Sequence, residues 1–171
     1  MNILRFLRPQ CIKLRLDFLP AAGEEGESEA TRAARHRREK ETLIGEFAEL
    51  LSRSGDIASL NKFTKDLSNR ERKATTAIAP GIAIPHVRTY QAKSFVIGLA
   101  RADEPGVDFD SLDGDPTRLF VLLTSPPWDD RTYLQVYREF AQLVRDEEAL
   151  AGLMTAQTEQ DVFNTLRTFF R

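Results

Sequence analysis

Reactive and cross-linking side chains are scarce in this sequence, which has one cysteine, one tryptophan and two histidines. Cys11 stands alone, so it cannot close an internal disulfide, and it fits a reducing compartment; a cytoplasmic protein is expected. His36 and His86 are distant in the chain and leave no recognisable metal-ligand cluster. Neither a metal nor another cofactor is expected, and a metal-dependent hydrolase fits poorly. Long apolar runs are missing too, so nothing in the chain is fit to cross a bilayer. Met1 to Gly23 is cationic, partly apolar and ends in Ala-Ala-Gly, yet Arg5, Arg8, Lys13, Arg15 and Asp17 interrupt the core that a secretory segment needs. A soluble chain without membrane insertion is expected. Nor does one sign of charge dominate: 24 Lys and Arg against 26 Asp and Glu leave a net charge of −2, with no global pull toward nucleic acid or membrane.

With 171 residues and 42% hydrophobic content, the chain suits one globular domain spanning 1–171. Asn2 to Leu7 reads as a helical turn before Pro9. Cys11 to Phe18 alternates, with Ile12, Leu14, Leu16 and Phe18 on one side, and predicts a half-buried strand. Pro20 to Ala30 shifts to Gly, Glu, Ser and Ala, a flexible surface connection. Thr31 to Ser54 has helical apolar spacing behind a basic first half, in which Arg32, Arg35, Arg37, Arg38 and Lys40 alternate with Glu39 and Glu41. That mixture reads as a solvated face rather than a nucleic-acid surface, with His36 on it. Ser59 to Asn69 forms a second helix running into Arg70 and Glu71. Ser94 to Ala100 and the nearly continuous apolar run Arg118 to Thr124 read as strands, the latter buried on both faces. Asp129 or Asp130 caps a helix with Leu134, Tyr137, Phe140, Ala141 and Val144 inward, and Asp161 to Phe170 makes a last one. Strands separated by helices predict an α/β sandwich with helices on both faces of one sheet.

One stretch carries chemistry. Gly81 to Arg88 reads Gly-Ile-Ala-Ile-Pro-His-Val-Arg. Ile82, Ala83 and Ile84 suit the end of a buried strand, and Pro85 removes a backbone donor, so the chain is expected to leave the sheet there. His86 then sits where a strand gives way to a loop. It is either a strand-end cap or an imidazole whose free nitrogen serves as nucleophile, base or ligand.

The wider segment favours the second reading. From Arg70-Glu71, through Thr75-Thr76, to Gly81-Ile82-Ala83-Ile84-Pro85-His86, it resembles the active-site signature of the fructose/mannitol-type enzyme IIA domains of the bacterial phosphotransferase system. That group includes the nitrogen-regulatory enzyme IIA proteins. The resemblance extends to the opening turn and strand and to the Phe109-Asp110 connector. It implies a mixed β-sheet and a regulatory phosphocarrier, nitrogen-type rather than a sugar transporter component. His86 would accept a phosphoryl group from a phosphohistidine carrier of the HPr type or its nitrogen-branch counterpart, and Arg70 would stabilise that group. Taken alone, Arg70 reads as a cation at a helix end. Thr75 and Thr76 match the family's Ser/Thr pair, with loop structure as their expected task.

Three departures stand out. The family has a second histidine, followed by leucine, after the central strand; here the pair is Tyr133-Leu134, and a phenol donates a hydrogen bond but carries no positive charge. Ala77, Ala79 and Pro80 stiffen a glycine-rich turn. Val87 replaces a small residue, with bulk expected to narrow the approach to His86. Arg88 and Arg131 are candidates for replacement positive charge. The rival function is therefore an interaction module of the same fold in which His86 is never phosphorylated.

Overall fold

In the computed structural model, which describes residues 2–171, a short 3₁₀ turn at Ile3–Phe6 leads into β1 (Leu7–Lys13). There follow α1 (Glu29–Ser52), α2 (Leu60–Lys73), β2 (Ile82–Ala83), β3 (His86–Arg88), β4 (Val96–Arg101), β5 (Leu119–Ser125), α3 (Asp130–Leu143), α4 (Glu147–Thr155) and α5 (Glu159–Phe169). The sheet has five strands in the order β1-β4-β5-β2, with β3 also paired to β5. It is mixed: β4 and β5 are antiparallel, whereas β1 runs parallel to β4, and β2 and β3 run parallel to β5.

β5 is the centre of this arrangement because its sequence has no polar face. Leu119, Val121 and Leu123 point into a core shared with α3, α4 and α5, while Phe120 and Leu122 point into a core shared with α1 and α2. The rings of Phe47, Phe109 and Phe120 pack together in the second core, with Phe47 and Phe120 centred 4.8 Å apart. The mixed sheet with helices on both faces is the architecture expected from the sequence.

Several boundaries differ from the expectation. The first strand is Leu7–Lys13 rather than a strand over 11–18. Pro9 is tolerated because β1 is an edge strand with no neighbour on its outer side. Beyond Lys13 the chain leaves the ladder, and the Glu46 carboxylate of α1 accepts the Asp17 and Phe18 amides at 2.6 and 3.0 Å. The connection that follows carries no strand up to Ser28, whose hydroxyl caps α1. It lies against α1 through the Ala21 amide on Glu39 (2.8 Å) and the Glu27–Arg35 pair (2.9 Å). Helix α4 had no counterpart in the sequence reading. Only Ala149 and Leu153 of it are buried, too few for a periodic signal, and its face is set by Gly152 packing on Thr165 of α5.

The break at Pro85 is the difference that matters for the site. The strand does not end there: Ile82 aligns with Leu119 and, further along the same register, His86 aligns with Leu123. Pro85 interrupts an edge strand, where a missing amide costs no ladder bond, and its carbonyl still accepts the Leu123 amide at 3.0 Å. His86 is therefore a strand residue with a fixed side-chain direction.

At the sheet centre, Gly98 of β4 permits close packing of α1: a Cβ there would stand 2.9 Å from the Cys11 carbonyl oxygen and 3.1 Å from Leu51 Cδ2. Gly98→Ala is expected to lower the unfolding free energy by about 1–3 kcal/mol, read from the midpoint of urea denaturation with an unchanged slope.

Candidate functional site

Helix α2 delivers the arginine. Ser59 caps its start, Phe63 and Leu67 bury its inner face, and the helix ends in the cations Arg70, Arg72 and Lys73. One nitrogen of the Arg70 guanidinium donates to the Ala74 carbonyl (3.1 Å), satisfying a group at the end of the helix. The other lies 3.1 Å from Nε2 of His86. On its opposite side the imidazole meets the Ile84 carbonyl, with Nδ1 at 2.6 Å.

These two contacts settle the tautomer. A carbonyl only accepts, so Nδ1 carries the proton; a guanidinium only donates, so Nε2 presents its lone pair to Arg70. Burial holds the His86 pKa below the usual 6.5; the hydrogen bond to the Ile84 carbonyl pulls it partway back up, and the nearby Arg70 charge, a lesser effect, pushes it down again. The result is a neutral imidazole with one nitrogen free for nucleophilic or basic work.

Glu71, the next residue on α2, faces the other way and is buried. Its carboxylate accepts from the Thr76 amide (3.0 Å) and the Thr76 hydroxyl (2.7 Å), with the Lys40 ammonium 3.3 Å away. The Thr75 hydroxyl donates to the Phe109 carbonyl (3.1 Å) and receives the Ala77 amide (3.2 Å). Both threonines thus hold the loop. From Thr76 the tie continues to the strand, because its carbonyl accepts the Ile84 amide at 2.9 Å. Gly81 takes φ +73°, a region open to glycine, and its carbonyl receives the Arg118 and Leu119 amides.

The facing wall comes from α3, whose first turn is capped by Asp129. Tyr133 lies 6.0 Å from the His86 ring and Tyr137 5.1 Å in an edge-on contact. Burial, reinforced by the neighbouring Tyr137, raises the Tyr133 pKa, so the phenol stays protonated and a donor at neutral pH. Arg88 joins β3 to the start of α3 through Asp130 and the Pro127 carbonyl, with its guanidinium 5.5 Å above the Tyr133 ring. A cavity of about 500 Å³ opens over His86, with Arg70, Lys73, Arg88, Tyr90 and Tyr133 in its walls. Tyr90 of this wall is exposed, and the exposed Trp128 ring lies beside it at 6.0 Å.

Arg70, His86 and Tyr133, singled out from the sequence, therefore meet in one cavity. Arg88 joins them, whereas Arg131 is absent from its walls. Val87 also borders the cavity, but its side chain packs into the core under α1 and α2, the face opposite the imidazole that strand alternation gives it. Tyr137 was read only as an inward helix residue; its place one turn beyond Tyr133 was the available signal. His36, read as a surface residue, is half-buried and placed 2.7 Å from Asp110 and 3.7 Å from Asp108. The fold assembles this ligand-capable trio from distant segments, which the sequence did not reveal. Its two carboxylates lie on different ring nitrogens, and the Lys40 ammonium already stands 2.6 Å from Asp110.

The fold and site define a small mixed α/β protein arranged around one buried imidazole whose lone pair faces a guanidinium. Residues 27–168 match the family model described as phosphoenolpyruvate-dependent sugar phosphotransferase system, EIIA 2, and the chain belongs to this family. It is 30% identical over 129 residues to the PTS system fructose-specific EIIABC component of Bacillus subtilis, covering 75% of this chain and 20% of that protein. It is also 30% identical over 120 residues to a nitrogen regulatory protein of Bradyrhizobium diazoefficiens, covering 69% and 78%. In structure it resembles the nitrogen regulatory protein IIA-Ntr of Neisseria meningitidis, with a TM-score of 0.76, 26% identity, and 97% and 99% of the two chains covered. The family resemblance read from the Arg70 to His86 segment is thereby borne out. Among the described residues, no helix is long and apolar enough to cross a membrane.

A lowered histidine pKa sets the sign of a pH effect. The stability gained from keeping His86 neutral is fully present above 6.5 and is lost as the pH falls toward the folded-state value. The ¹⁵N resonances of His86 are expected to titrate below 6.5. Over the same range, the parent should lose stability relative to His86→Asn.

Proposed function

We propose that the chain is a regulatory enzyme IIA of the phosphotransferase system that accepts a phosphoryl group on His86 from a phosphohistidine carrier of the HPr type. The observation that carries this reading is the placement of Nε2, unprotonated and 3.1 Å from Arg70. Phosphoryl transfer between imidazoles asks little covalent chemistry of the protein beyond alignment and charge stabilisation. The Nε2 lone pair attacks phosphorus, the bond to the carrier's imidazole nitrogen breaks, and that bonding pair returns to the carrier. Positive charge grows on the His86 ring, and the Nδ1–H donated to the Ile84 carbonyl spreads it. Arg70 turns from the lone pair to the phosphoryl oxygens, which its planar guanidinium suits.

Tyr133 takes the place of the second histidine as a neutral donor at the cavity wall. It supplies a hydrogen bond but no charge, and Arg70, Lys73 and Arg88 supply the positive field. The carrier docks on the rim, where Tyr90 and Trp128 are the kind of exposed aromatic pair that concentrates binding energy at interfaces. Similarity to proteins named as nitrogen regulatory, in sequence and in structure, supports a regulatory role over a sugar-specific one.

The test is incubation of the purified chain with phosphoenolpyruvate, enzyme I and HPr, or the nitrogen-branch pair, followed by intact mass spectrometry under mildly alkaline conditions. A single phosphoryl adduct is expected, absent from His86→Ala. Arg70→Ala should fold normally and slow its formation by about 10²-fold. An adduct that persists in His86→Ala would move the acceptor elsewhere. Complete absence of adduct, beside an active control enzyme IIA, would make the chain an interaction module instead.

The docking rim is tested separately. Trp128→Ala is expected to raise the half-saturating carrier concentration about tenfold or more while leaving the rate at saturation unchanged. A fall in the saturated rate alone would take Trp128 out of docking.

A further inference from the structure

A second cavity, of about 390 Å³, lies between α1, the last turns of α2 and the loop bearing Asp110. Among the described residues it shares no wall with the cavity over His86. Its size falls within the usual range for small-ligand sites. Its charges are nearly all engaged: Lys40 bridges Glu71 and Asp110, His36 also meets Asp110, and Arg72 pairs with Glu41 at 2.7 Å. The exception, among the described residues, is Arg37, which lines the cavity and has no carboxylate partner. The Ser68 hydroxyl in the same wall makes no hydrogen bond within the described protein. The rest of the lining is Thr75, whose hydroxyl is already engaged by the Phe109 carbonyl and the Ala77 amide, and an apolar part made by Ala33 and buried Ile44.

We propose that this cavity binds a small organic carboxylate, its anionic end on Arg37 and Ser68 and its hydrocarbon body against Ala33 and Ile44, and that occupancy is transmitted to His86. An anion is favoured because the unused groups are a guanidinium and a hydroxyl, both able to donate, while every carboxylate in the wall already has a cation. A hydrocarbon body is favoured because Ile44 and the methylene stems of Arg37 and Arg72 give it contact that a compact hydrated ion does not use.

The link to His86 is a run of hydrogen bonds. Glu71 lines this cavity and clasps Thr76; the Thr76 carbonyl holds the Ile84 amide; the Ile84 carbonyl holds Nδ1 of His86. Arg70 precedes Glu71 on the same helical turn and faces Nε2. A ligand that moves the end of α2, or draws Lys40 from Glu71, acts on both contacts that orient the imidazole. This inference goes beyond the phosphoryl-acceptor reading and does not depend on it.

The experiment is titration of the unphosphorylated, ¹⁵N-labelled chain with hexanoate, with hexan-1-ol as the uncharged control and no carrier present. Expected are saturable amide shifts in 33–44 and 68–76 at millimolar hexanoate, far smaller shifts with hexan-1-ol, and a concurrent shift of the His86 ring nitrogens. Arg37→Ala, at an exposed position, should keep the parent melting temperature and weaken hexanoate binding about tenfold, the scale of one charge-assisted hydrogen bond. Absence of saturable shifts, equal response to hexan-1-ol, or unchanged affinity in Arg37→Ala would overturn the site. Saturation with still His86 ring resonances would overturn the transmission.

Discussion

The hydrogen bond from His86 Nδ1 to the Ile84 carbonyl, 2.6 Å long, is the constraint on which the site depends. It places the ring proton on Nδ1 and leaves Nε2 as the only nitrogen with a lone pair, turned toward Arg70. For that bond to exist, the carbonyl two residues earlier must point back at the ring. Pro85 between them makes the arrangement durable, since its ring fixes φ and biases Ile84 toward an extended conformation. A proline in the middle of a sheet would cost a ladder bond. Here the strand is at an edge, so the same residue stiffens the backbone beside His86 without breaking the register with β5.

Two adjacent residues on one helix divide the work of support. Arg70 reaches His86, while Glu71 turns into the protein and binds the Thr75-Thr76 loop from below. A buried carboxylate is costly unless hydrogen-bonded and paired, and Glu71 has both a threonine's two donors and the Lys40 ammonium. Lys40 is fixed in turn by Asp110 and lies 4.6 Å above the Phe109 ring. The site is thereby tied to α1, which contributes no residue to the cavity over His86.

The wall opposite Arg70 is aromatic where the family has a second imidazole. Tyr133 and Tyr137 stack 6.3 Å apart and enclose the His86 ring, which adds to the burial that keeps it neutral. Positive charge is then left to Arg70, Lys73 and Arg88. A phenol held protonated by burial donates in the same way across the physiological pH range, whereas an imidazole changes its charge within it.

The sequence by itself determined the layers of the fold and the chemical identity of the site. The unbroken apolar run of β5 required burial on both faces, and the order of Arg70, Thr75-Thr76 and Gly81 to His86 carried the family and named two of the residues that meet. These features rest on local pattern and on spacing along one short segment. Tertiary structure decided what depends on neighbours distant in the chain. It decided that Pro85 interrupts a strand rather than ending it, because only the sheet order makes that strand an edge. It also shifted β1 to include Pro9, drew α4 into a helix through contact with α5, and turned Tyr137 onto the imidazole. His36, Lys40, Glu71 and Asp110 read as unrelated charges along the chain and become one network only when α1, α2 and the loop at Asp110 pack together, since ion pairing depends on distance in space.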